Sequence, residues 1–141
     1  MGDRRLAREA ALQILFQKDF NEGASAPYTL IKLIKTETNA DFSNRLVKGV
    51  LQYRADIDQT IQKNAEHWTT ERMAAVDLNV LRIATFEMVY AKETPSKVII
   101  DEAIEIAKKY GNENSGAFVN GILDAIHHAE LEPVGGALVK P

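Results

Sequence analysis

The sequence predicts an all-α protein, a compact bundle of about six to seven helices. Apolar residues recur at i, i+3 and i+4 over most of the chain, as in Val76, Val80, Ile83, Ala84 and Met88. No run of strand-like alternation stands out. Helix breakers fall between the periodic runs, at Gly23, Pro27, Pro95 and Gly111. At 141 residues the chain is most simply one domain, long enough for its core to hold the fold without staples.

The first helix is expected from Arg4 to about Phe20, with Asp3 placed to cap it. Ala7, Ala11, Ile14 and Leu15 fall on one face, with Leu12, Phe16 and Phe20 beside it. Asn21-Glu22-Gly23 ends it. Pro27 suits the first turn of a short second helix through Leu30, Ile31 and Ile34. Thr36 to Asp41 reads as a loop. A longer helix follows from about Phe42 to Asn64, with a stripe of Leu46, Val47, Val50, Leu51, Ile57 and Ile61. Trp68 falls in the next connection, and Thr69 or Thr70 can cap a fourth element that continues to about Lys92. Thr94-Pro95-Ser96 is a break. Lys97 to Tyr110 buries Ile99, Ala103, Ile106 and Ala107, and Gly111 stops it. The last helix starts near Ser115 and buries Phe118, Val119, Ile122, Leu123 and Ile126. Residues 129–141, with Pro133, Gly135, Gly136 and Pro141, read as a disordered tail. The loop near Trp68 or the turn near Thr94 divides the bundle into two packed halves.

Several function classes are excluded. Cysteine is absent, so there is no disulfide framework and no thiolate metal site. The N-terminus leads into no apolar signal core and nothing later approaches a membrane span, so the expected location is the cytoplasm. His127 and His128 are neighbours on a helix, pointing about 100° apart, and cannot chelate one ion together. His67 stands alone beside Trp68. No metal or cofactor is expected. Walker, HExxH, GxSxG and GxGxxG patterns are all missing. Glu105 and Lys109 are spaced for a surface ion pair worth about 0.2–0.5 kcal/mol, and nothing near the acid pairs would raise a carboxyl pKa. Arg82 and Glu87 read as a partly buried structural pair or as separate surface contacts. The chain is expected not to be an enzyme.

The positive signals lie at the two ends. Arg4 and Arg8 are one turn apart on one helix face, with Arg5 about 100° round. Guanidinium forks bind phosphate and stack on bases. The competing reading is a solvated helix end paired with Glu9 and Asp3. Cations at a helix N-terminus oppose the macrodipole, a mild cost that hints at function. Phe16 and Phe118 can each be core anchors or stacking platforms for an unpaired base. Asn114, Ser115 and Asn120 can hydrogen-bond bases or serve as caps and loop contacts. Net charge is −3, so any RNA binding must come from a local patch and be modest and salt-sensitive.

Four segments in order carry a resemblance: Arg5-Leu6-Ala7-Arg8-Glu9-Ala10-Ala11-Leu12-Gln13-Ile14-Leu15-Phe16, Asn79 to Met88, Pro95 to Tyr110, and Phe118-Val119-Asn120-Gly121-Ile122-Leu123. Together they resemble the NusB family of bacterial transcription antitermination factors, from Arg4 to about Ile126. The resemblance implies one domain over residues 1–128, built from two perpendicular helical subdomains, about 3–65 and 69–128. It implies binding to boxA RNA and to NusE, the ribosomal small-subunit protein, within transcription complexes with RNA polymerase and other Nus factors on ribosomal RNA operons. Arg4, Arg5 and Arg8 then match the arginine-rich RNA-binding start. Phe16 takes a position often held by tyrosine, losing a hydroxyl while keeping a ring. Asn114, Ser115, Phe118 and Asn120 match the second RNA-facing element, and Asp77 the NusE-facing surface. Two other readings are an all-helical protein-interaction module and the NusB-like RNA-recognition domain of ribosomal RNA methyltransferases. No Rossmann-like cofactor domain follows within these 141 residues, as the methyltransferase reading would require.

Overall fold

The computed structural model describes residues 2–20 and 37–131. Among them are six α-helices and no strand. They are α1 (Gly2–Phe20), α2 (Glu37–Gln52), α3 (Arg54–Lys63), α4 (Ala75–Thr85), α5 (Ser96–Tyr110) and α6 (Ser115–Ile126). The short helix expected after Pro27 lies outside the described residues. No described helix is long and apolar enough to cross a membrane.

Helix α4 is the central rod. Every residue from Asp77 to Thr85 is buried, as expected of a helix enclosed on all sides. It packs against α1, α2 and α3 on one side and α5 and α6 on the other. Helix α1 presents Ala7, Ala10 and Ala11, whose small side chains let its neighbours approach closely, and anchors itself with Leu12 and Leu15. Helices α5 and α6 form a tight antiparallel pair through Ile99, Ala103, Ile106, Val119, Ile122 and Leu123.

Several boundaries differ from expectation. Asp3 lies inside α1, which starts at Gly2, so it is not the cap. The loop expected up to Asp41 is helical from Glu37. That segment holds no glycine or proline to break the helix. The single helix expected from Phe42 to Asn64 breaks at Tyr53, whose φ of −107° and ψ of 19° leave the helical well. The Tyr53 ring stacks on Tyr90 at 4.2 Å, and the break turns α3 across α4. Leu51, expected in the buried stripe, is exposed.

The connection after α3 is held by a side chain rather than a cap. Gln62 donates to the Trp68 carbonyl at 2.7 Å and accepts from the Thr70 N–H at 2.9 Å. Neither Thr69 nor Thr70 caps α4, which begins at Ala75 after the 3₁₀ turn Thr70–Arg72. Helix α4 continues as a wider π turn, Phe86–Ala91, closed by Lys92 in the left-handed region at φ 56°. Here α2 comes so close that a Cβ on Gly49 would run into the Phe86 ring. After α6 a second π turn, His127–Leu131, carries helix through the start of the expected tail. The rest of that tail lies outside the described residues.

Candidate nucleic-acid interface

The α1 arginines point to three different fates. Arg4 lays its guanidinium on the ring of Phe42, 3.9 Å from the centroid. Among the described residues it has no carboxylate partner, so its N–H edges stay available. Arg5 forms a bidentate pair with Glu102 on α5, at 2.7 and 2.9 Å, and keeps two-fifths of its side chain exposed. Arg8 is enclosed. Its guanidinium forks onto Glu87 at 2.7 and 2.9 Å, and the two side chains are 6% and 4% exposed. Arg8 therefore does not stand as a free cation, because Glu87 of the π turn that extends α4 takes up both edges of its fork. Arg45 joins Arg4 and Arg8 around Phe42, with its guanidinium 5.5 Å from the centroid.

Glu9 is not the arginines' partner either. It is buried and accepts from Tyr110 Oη at 2.6 Å and Lys109 Nζ at 3.0 Å. The Glu105–Lys109 pair expected on α5 is therefore replaced, and Glu105 sits 3.8 Å from Lys108 instead. Arg82 and Glu87 do not pair with each other. Arg82 is buried and forks onto Asp58 at 2.8 and 2.9 Å, with Asn79 and Asp19 nearby.

Hydrogen bonds from Arg5 hold the Glu102 carboxyl below its ordinary pKa, against the opposing pull of burial. A depressed acid stabilises the folded state above its unfolded pKa and loses that contribution as pH falls through the lowered value. The stability advantage of wild type over Glu102→Gln should be full at neutral pH and shrink steadily in acid. A gap that persists unchanged in urea melts at about pH 2 would refute this. Burial first, and the hydrogen bond to Glu9 second, push the Tyr110 hydroxyl above its usual range.

Phe16 is half-buried and shares a recess of about 120 Å³ with Leu12, Gln13, Val76 and Tyr110. Tyr110 thus links the arginine end of α1, through Glu9, to Phe16. A separate groove of about 290 Å³ is lined by Trp68, Arg72, Asp77, Asn112, Asn114 and Phe118. Trp68 and Phe118 meet edge to face, with centroids 5.8 Å apart at 82°. Phe118 is half-buried and Trp68 is 47% exposed. Asp77, expected on the NusE-facing surface, lines this groove with Phe118 and Asn114. It is 6% exposed, and its Oδ1 meets no hydrogen-bond donor.

Ser115 takes a local bond at the start of α6. It is buried, and its Oγ accepts from the Asn112 N–H at 3.0 Å, fixing the turn between α5 and α6. Asn114 is exposed beside the groove, and its N–H donates to Asn112 Oδ1 at 2.8 Å. Asn120 is exposed on α6 but does not line the groove. Sequence reasoning missed Phe42, Glu102 and Tyr110, and placed Trp68 only in a connection. A lone tryptophan in a polar linker was the one visible signal.

A profile described as the NusB family matches residues 5–128. The chain is 46% identical over 130 residues to the transcription antitermination protein NusB of Geobacter sulfurreducens, covering 89% of this chain and 94% of that protein. It is similar to a solved structure of T. maritima NusB, with 41% identity and a TM-score of 0.79 over 92% of this chain and 93% of the other. A crystal structure of antitermination factors NusB and NusE in complex with double-stranded RNA matches at 28% identity and a TM-score of 0.77, covering 92% and 98%. With the family profile spanning nearly the whole chain and relatives this close, the chain belongs to the NusB family.

Proposed function

We propose that this chain is an RNA-binding transcription antitermination factor of the cytoplasm. With a NusE partner it binds boxA RNA in ribosomal RNA operon transcripts, within complexes of RNA polymerase and other Nus factors, and it catalyses no reaction. One observation carries the reading at the level of residues. Arg4 and Arg5 offer guanidinium edges on α1, and aromatic rings stand in two recesses, Phe16 with Tyr110 and Val76, and Trp68 with Phe118 and Asp77. Cations and aromatic rings together suit a single strand, whose phosphates need charge and whose unpaired bases need stacking.

The residues take graded roles. Arg4 and the outer edge of Arg5 contact phosphate. Phe118 and Phe16 offer ring surface, and Asn114 and Asn120 offer exposed amides. Arg8 and Ser115 hold these groups in place from beneath. A net charge of −3 limits how many phosphates the chain neutralises alone, so a NusE partner raises affinity by linked binding.

Titration of boxA RNA with and without NusE tests this reading. The Arg4→Ala, Arg5→Ala double variant should bind more weakly, with a salt slope reduced by about two units. Phe118→Ala should lose about tenfold or more in affinity, since stacking is worth roughly 1–3 kcal/mol per base. Its melting temperature should fall only slightly, because the ring is half-buried. Unchanged affinity and slope in both variants would overturn the assignment.

A further inference from the structure

We propose that the groove between α2 and the π turn Phe86–Ala91 carries a further stretch of RNA backbone, with Arg45 and Lys48 as phosphate contacts and Glu93 as the carboxylate that phosphate displaces. The inference rests on the RNA-binding reading and extends the strand's footprint from α1 onto α2.

The groove encloses about 460 Å³, and Arg45, Lys48 and Gln52 stand along its α2 wall. Arg45 and Lys48 are three positions apart, neighbours on one helix face. Tyr53 and Tyr90, stacked at 4.2 Å, also line it and give it a rigid apolar floor. A second recess, of about 380 Å³, is lined by Arg4, Thr94, Val98 and Glu102. Glu93 lines both, so the two recesses adjoin at its side chain. Phe42 ties the same two sides together from beneath. Its buried ring carries the Arg4 guanidinium at 3.9 Å and that of Arg45 at 5.5 Å.

Charge selects the occupant. Arg8 is neutralised by Glu87, and Glu102 by Arg5. Arg45 donates one hydrogen bond to Glu93, at 2.8 Å, and both side chains are about half exposed. An exposed pair of this kind is worth little, so its guanidinium exchanges carboxylate for phosphate readily and can then bind in bidentate fashion. Arg4 and the exposed Lys48 meet no carboxylate among the described residues. The surplus cations therefore flank Arg45, on a chain whose net charge is −3. Like charges gathered about one ring repel each other, and a polyanion relieves that repulsion. The row continues from the α1 arginine assigned to phosphate, which favours a nucleic-acid strand over an acidic peptide.

The experiment measures anisotropy of labelled boxA RNA, extended by ten nucleotides on each side, against the full chain with NusE over a range of salt. The Arg45→Gln, Lys48→Gln double variant should lower the salt slope by about 1.4 units, at roughly 0.7 per phosphate on a single strand. Its affinity should fall about tenfold or more at ~0.1 M salt, with the urea midpoint unchanged. Glu93→Gln should bind about threefold tighter, the worth of one exposed ion pair. An unaltered slope and affinity in the double variant, with boxA still bound, overturns this inference and leaves the RNA-binding reading standing. Glu93→Gln that binds no tighter overturns the displacement of Glu93. If polyglutamate of equal charge binds as tightly as the RNA and is lost in the double variant, the groove takes an acidic peptide and the inference fails. Absence of boxA binding even with NusE present removes the RNA-binding reading and this inference together.

Discussion

Replacing Glu87 with alanine is expected to destabilise the fold by about 3–5 kcal/mol, because it leaves the Arg8 guanidinium buried without its counter-charge. Arg8 and Glu87 are among the most enclosed charged side chains described, and they tie α1 to the π turn that extends α4. Neither end can swing into water without lifting α1 from its seat. Urea unfolding followed by circular dichroism measures the loss. The paired replacement Arg8→Met, Glu87→Leu should recover most of it, since a buried ion pair is worth little more than well-packed apolar groups. A loss below about 1 kcal/mol in Glu87→Ala would show that the pair is better hydrated than its burial implies. The same geometry reassigns Arg8. Arg8→Ala should lower apparent RNA binding by depleting folded protein, while the salt slope of the folded fraction stays as in wild type.

Arg82→Ala should be comparably damaging, at about 3 kcal/mol or more. One guanidinium serves three helices here: Asp19 on α1, Asp58 on α3 and Asn79 on its own α4. Removing it leaves the Asp58 carboxylate and the Asn79 side-chain carbonyl without their donor, while Asp19 keeps Arg54 and the Asn79 amide. Arg82→Lys should recover little, because an ammonium cannot reproduce the planar fork that spans both Asp58 oxygens. Thermal melts of the two variants decide the point. If lysine restores wild-type stability, the net charge matters and the fork does not.

The helices were legible because burial imposes a period that the apolar residues spell out. Val80, Ile83, Ala84 and Met88 are all buried, as are Ile99, Ala103, Ile106 and Ala107. The break at Tyr53 was not legible. It depends on Tyr90, thirty-seven positions away, whose ring takes up the tyrosine. The start of α2 was missed for a related reason: a polar stretch reads as loop unless its neighbours are known. At the candidate site, residue type was visible and allegiance was not. Three arginines in five positions look equivalent in sequence, yet their fates depend on Phe42, Glu102 and Glu87, each contributed by a different part of the chain. Asp77 came from the resemblance alone, because nothing local showed that it would share a groove with Trp68 and Phe118.

The approach of α2 to α4 makes positions 49 and 86 a single steric quantity rather than two independent choices. A helix-interior glycine forgoes about 1 kcal/mol of propensity relative to alanine, so on local grounds position 49 invites replacement. The Phe86 ring occupies the volume that any side chain there would need. A bulkier residue at 49 is therefore compatible with this helix crossing only alongside a smaller one at 86. A designer who scans the chain one substitution at a time would find both sites intolerant and never see the compensated pair.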